Sequence, residues 1–227
     1  MSRWHGRLTA AALALGFLAA ACGMDAETGA EPAQKAEAPA VIDRPAAKLQ
    51  QTLTDLLGAH VFLAGIAVEQ AVLTKDPESP QFTAAAEALD QNSMDLAAAI
   101  GSVYGAEAGD QFLELWRAHI GFFVDYTVAG IGGDTVAQDE AKSQLDQYRM
   151  DFGAFIDSAT GGNLPADDAA AALQMHVDSL IGTIDQVLSG EGNPFLSLYA
   201  SAHEHMPATA SALAGAIAAA NPDMFEG

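Results

Sequence analysis

Four histidines occupy positions where chemistry could be done. His60, His119, His176 and His203 each stand alone, midway along an apolar helical stripe. The stretch Phe112 to Tyr126 shows the pattern most clearly, with apolar residues at 112, 115/116, 119/120, 122/123 and 126 and His119 at their centre. A neutral imidazole buried among Ala, Leu and Phe needs a hydrogen-bond partner that such a core does not supply. A shared metal ion, a bound ligand or ordered water would supply one. Imidazole suits zinc, copper and haem iron, and a thioether nearby shifts the preference toward copper. That thioether is Met206, in the run His203-Glu204-His205-Met206, where His205 offers a further imidazole. The expected site is therefore His60, His119, His176 and His203 as ligands of copper or another transition metal, with Met206 or His205 beside them. Ligation requires neutral rings, so affinity is expected to fall as pH drops through about 6.

Helices must carry these residues. Leu49 to Ala67 marks a first helix, ending before Asp76-Pro77, and Ser79-Pro80 opens a second with an N-cap and a proline at its first position. Gly105 to Gly109 breaks it, and a third helix covers about Asp110 to Gly130. Gly132-Gly133-Asp134 turns into a fourth, Pro165 starts a fifth, and Asn193-Pro194 a sixth that runs to Asn221-Pro222. Pro207 lacks the N–H that would reach the carbonyl of His203, so a kink is expected there. No stretch alternates with the period of a strand. The fold class is all-α.

The chain also repeats itself. Residues 89 to 96, LDQNSMDL, match residues 145 to 152, LDQYRMDF, at five of eight positions. Ala118-His119-Ile120 then aligns with Met175-His176-Val177, and His60 precedes His119 by nearly the same interval. A six-helix up-down bundle of three related hairpins follows, with His60, His119 and His176 on the first helix of each. Each histidine lies near its helix midpoint, so all four are expected at one level within roughly 5 Å.

The N-terminus carries an address. Arg3, His5 and Arg7, the apolar run Leu8 to Leu18 and the small residues Ala19 to Ala21 make a secretory signal over residues 1–22. Leu18-Ala19-Ala20-Ala21-Cys22 resembles the lipobox of bacterial lipoproteins, which implies acylation of Cys22, the one cysteine in the chain. Residues 23–45, rich in Ala, Glu, Pro and Gly, read as a disordered tether. Residues 46–222 are the bundle and 223–227 a short tail. The folded part is similar to a group of uncharacterised bacterial exported helical proteins with histidines in apolar helices and an Ile before a Pro-x-x-Phe tail, here Ile217 and Pro222-Asp223-Met224-Phe225. That resemblance implies export and supplies no activity.

The expected setting is extracytoplasmic, with the membrane as a partner through the lipid anchor. Nucleic acid is excluded: 30 Asp and Glu stand against 9 Lys and Arg, a formal charge of −21 that repels phosphate. No Glu-x-x-His, His-Glu-x-x-His, Cys-x-x-Cys-His or Gly-x-Ser-x-Gly occurs, so nothing points to an enzyme. Two further readings share these residues. In one the lipoprotein is structural or partner-binding and its histidines only pack; in the other haem or an apolar ligand lies between the helices.

Overall fold

The structure, a computed structural model, describes residues 44–225. The signal, Cys22 and nearly all of the tether lie outside them. Among the described residues there is no strand, and the fold is all-α. Helices α1 (Pro45–Thr74), α2 (Pro80–Tyr104), α3 (Ala106–Gly132), α4 (Thr135–Thr160) and α5 (Ala166–Ser189) follow one another through short turns. The last stretch is two segments where one helix was expected. Helix α6 (Pro194–Ala200) and helix α7 (Met206–Ala220) are joined by a π-helical turn over Ser201–His205, and a final turn α8 covers Pro222–Phe225.

The caps fall where side-chain chemistry puts them. Ser79 Oγ accepts from the Phe82 N–H, Asp134 from Val136 and Ala137, and Asn193 from Leu196. Only Gly105, at φ +92°, breaks the chain between α2 and α3. Gly109 is helical and buried, which corrects the expected break over 105–109. Its role is close approach: a Cβ there would stand 2.9 Å from the Ala97 carbonyl oxygen.

Helices α1, α3 and α5 touch one another pairwise and form the interior. Helix α2 packs on both α1 and α3, and α4 on both α3 and α5. The α6 segment and the π-helical turn pack on α5 and α1, while α7 packs on α1 and α4. Each histidine-bearing helix of the first five thus faces the other two. Helix α1 is long and apolar enough to cross a bilayer by length and composition. Here it contributes Leu53, Leu57, Val61 and Val68 to the core instead. Arg117 of α3 fastens α2 by a two-pronged ion pair to Asp90, at 2.7 and 2.8 Å, in the open where such pairs contribute little.

One glycine sets a spacing that can be tested. A Cβ on Gly153 of α4 would lie 2.5 Å from the Ala166 carbonyl oxygen at the start of α5. Gly153→Ala should therefore push α4 and α5 apart and cost about 1–3 kcal/mol. A thermal melt of the variant should show a midpoint lower by several degrees, at roughly 2–4 °C per kcal/mol. An unchanged midpoint would mean that the helices are not in this contact.

Candidate metal centre

His60, His119 and His176 come from the middles of α1, α3 and α5. All three are buried, at 1%, 2% and 7% exposure. One ring nitrogen from each lies within 4.8 Å of the other two, and this is the one such grouping of three potential ligands among the described residues. The His60 ring centre is 5.5 Å from that of His119 and 5.9 Å from that of His176. A tetrahedral or trigonal ion with bonds near 2.0–2.1 Å would hold its nitrogens roughly 3.4–3.6 Å apart. For the widest pair that is a shift of about 0.7 Å for each ring, within reach of small side-chain rotations.

None of the six ring nitrogens makes a hydrogen bond. That is the central chemical fact of the cluster, because an unpaired buried polar atom costs about 1–3 kcal/mol. Burial also drives the rings neutral. It pushes His60 down to about 3, with the nearby His176 adding to the effect. His176 is lowered to about 4, first by burial and then by His205. His119 lies well below the ordinary value, through burial and through His60 and His176. The backbone of Trp116 favours the charged form of His119 slightly, without forming a bond of accepted geometry. The rings are thus neutral bases at any ordinary pH, the form a metal requires.

The π-helical turn rearranges the remaining candidates. The Met206 N–H bonds the Ser201 carbonyl, an i→i+5 bond that adds a residue to the turn just ahead of Pro207. The disturbance expected at Pro207 is present, but as a widened turn. Tyr199, just ahead of it, and His203, within it, are exposed; behind it Met206 and Ala210 are buried. His203 does not join the other three. It rests against Tyr199, ring centres 4.3 Å apart, and Phe62, at 6.5 Å. His205 is half-buried, its Nδ1 is enclosed without a partner, and it lies near enough to His176 to lower its basicity. Met206 lines a cavity together with His60 and His176.

Two aromatic neighbours went unnoticed in the sequence. The Trp116 ring is 4.8 Å from His60 and 4.6 Å from His119, and Tyr148 stacks on His119 at 4.9 Å and 23°. Trp116 Nε1 and the Tyr148 hydroxyl are also buried without partners, and burial raises the Tyr148 hydroxyl well above its usual value. The spacing of Trp116 three residues before His119 was the available signal, since such pairs share a helix face.

Fold and site together define an all-α bundle with a three-imidazole cluster enclosed by aromatic rings. Comparison with family models, curated proteins and solved structures returns no match.

Proposed function

We propose that this protein is an extracytoplasmic lipoprotein whose helical bundle binds one copper ion through His60, His119 and His176. The observation that supports this reading is the convergence of three neutral rings whose six nitrogens have no other partner. One ion would satisfy three of the six at once. Copper suits the donor set better than zinc on electrostatic grounds. A divalent ion held by neutral ligands alone, with no carboxylate in the cluster, carries about four times the Born cost of a monovalent one in an apolar core. Cu(I) is monovalent, and the buried Met206 lines a cavity together with His60 and His176, a soft neighbour suited to that ion. His205 is the reserve ligand. Among the described residues the two cavities that reach the cluster are about 30 and 40 Å³, too small for haem without opening the bundle.

The expected result is one Cu(I) per chain under anaerobic titration, lost on His176→Ala. Substoichiometric copper, or copper that survives this substitution, would reject the site. If the histidines only pack, no metal binds stoichiometrically at any pH.

The anchor is proposed on the sequence of residues 1–22, with Cys22 acylated and residues 23–45 as the tether. Cys22→Ser should move the protein from the membrane to the soluble fraction; retention in the membrane would count against acylation.

The three-hairpin origin is part of the same reading. Gln91 bonds Asp95 and Gln147 bonds Asp151 at corresponding positions of the repeat, at 3.0 and 2.9 Å. Position 97 approaches 109 in one pair of helices as its counterpart 153 approaches 166 in the other, with the glycine on opposite partners. A duplicated hairpin accounts for both correspondences.

A further inference from the structure

Two cavities meet the histidine cluster, and they differ chemically. The first holds Met206 together with His60, His176 and Trp116. The second is lined by His60 and His119 and otherwise by apolar groups such as Ala64, Ala67, Val68 and Phe123. Its one hydroxyl, on Thr127, is committed to the Phe123 carbonyl at 2.8 Å. Alanines at 64, 67 and 71 leave the space on α1, and Val128, 39% exposed, lines its outer part. So the first side offers a protein donor to a metal, and the second offers none beyond the histidines.

We propose that the metal keeps an open coordination position toward the alanine-lined cavity and takes an uncharged diatomic gas there. This rests on the reading of the cluster as a copper centre. With the three histidines as the ligands and Met206 as a neighbour, one position of a four-coordinate ion is open to an outside ligand. The cavity, about 30 Å³, exceeds what one water needs and remains far below the size of an organic substrate. Water is a poor occupant because it wants two to four polar partners, and beyond the cluster this wall offers only the accepting oxygen of Thr127. An anion is disfavoured by an apolar wall in a chain of formal charge −21. Carbon monoxide, nitric oxide and dioxygen share the required chemistry: small, uncharged, weakly hydrated and able to bind a monovalent soft metal.

The full chain loaded with one equivalent of Cu(I) under anaerobic conditions should bind one carbon monoxide per copper. The readout is a single narrow C–O stretching band in the infrared. Ala67→Leu fills the cavity and should keep the copper while weakening carbon monoxide binding by about tenfold or more. Val124→Phe, from the α3 wall, should do the same and serves if the first variant fails to keep its helical circular dichroism. Met206→Leu, on the other side, should leave the band present. Copper bound stoichiometrically with no such band overturns the open position but spares the copper centre. Binding unchanged in the cavity-filling variants overturns the assignment to this cavity. Failure to bind copper removes both readings together.

Discussion

The metal-free protein will unfold as pH is lowered from about 6.5 toward 4. His60 and His176 have folded values of about 3 and 4, and His119 lies well below 6.5 as well. In the unfolded chain all three sit near 6.5. Above that value neither state holds the protons, so the fold carries no penalty. Below it the unfolded chain takes up protons that the folded chain refuses, and stability falls with each further unit. Each ring contributes about 1 kcal/mol or more per pH unit, so two units act on a margin that is only about 5–15 kcal/mol in an ordinary domain. Relief of repulsion among the acidic groups works the other way and subtracts from the effect. Far-ultraviolet circular dichroism against pH should show a cooperative loss of helix in this window. Bound copper should move it to lower pH, since the metal competes with protons for the same nitrogens. A chain that remains folded at pH 4 without metal would show that the rings are not buried together.

The second large effect is a gain. His119→Leu should raise the thermal midpoint of the metal-free protein by several degrees while abolishing metal binding. The imidazole leaves two buried nitrogens unpaired at about 1–3 kcal/mol for such groups, and an apolar side chain of similar volume leaves none. Lost contact with Trp116 and Tyr148 subtracts from the gain, because ring pairs contribute about 0.5–1.5 kcal/mol. The net sign is still favourable. If His119 were a well-satisfied core residue, the same substitution would destabilise. Differential scanning calorimetry separates the two outcomes, and the sign of the change is enough.

Much of the helical layout was legible because it depends on local chemistry. The 3.6-residue spacing and the caps at Ser79, Asp134 and Asn193 act within a few residues of themselves. The meeting of His60, His119 and His176 was legible for a related reason: one spacing recurs, so their helices take similar places. His203 was not, because its direction depends on how a single turn hydrogen-bonds. Residue types there fit a regular helix as well as a π-helical turn, and only the i→i+5 bond from Met206 to Ser201 separates them. Gly109 was misread for a different reason. A glycine that permits close approach in a helix and one that ends it look alike until the neighbouring helix is in place. Tyr148 was invisible for the same reason as most tertiary contacts, since it reaches His119 from another helix.

The interior triangle of α1, α3 and α5 also bears on the order of events when the chain folds. The most extensive helix contacts in the bundle join neighbours along the chain, and such local pairing forms quickly. The contacts of α1 with α5 and α7 reach furthest along the sequence and close a loop spanning most of the described chain. His60 and His176 belong to the two ends of that loop. The cluster needs α5 as well as α1 and α3, so an N-terminal piece that stops before His176 lacks one of the three rings. A chain made N-terminus first therefore has no three-ring cluster until its fifth helix is present.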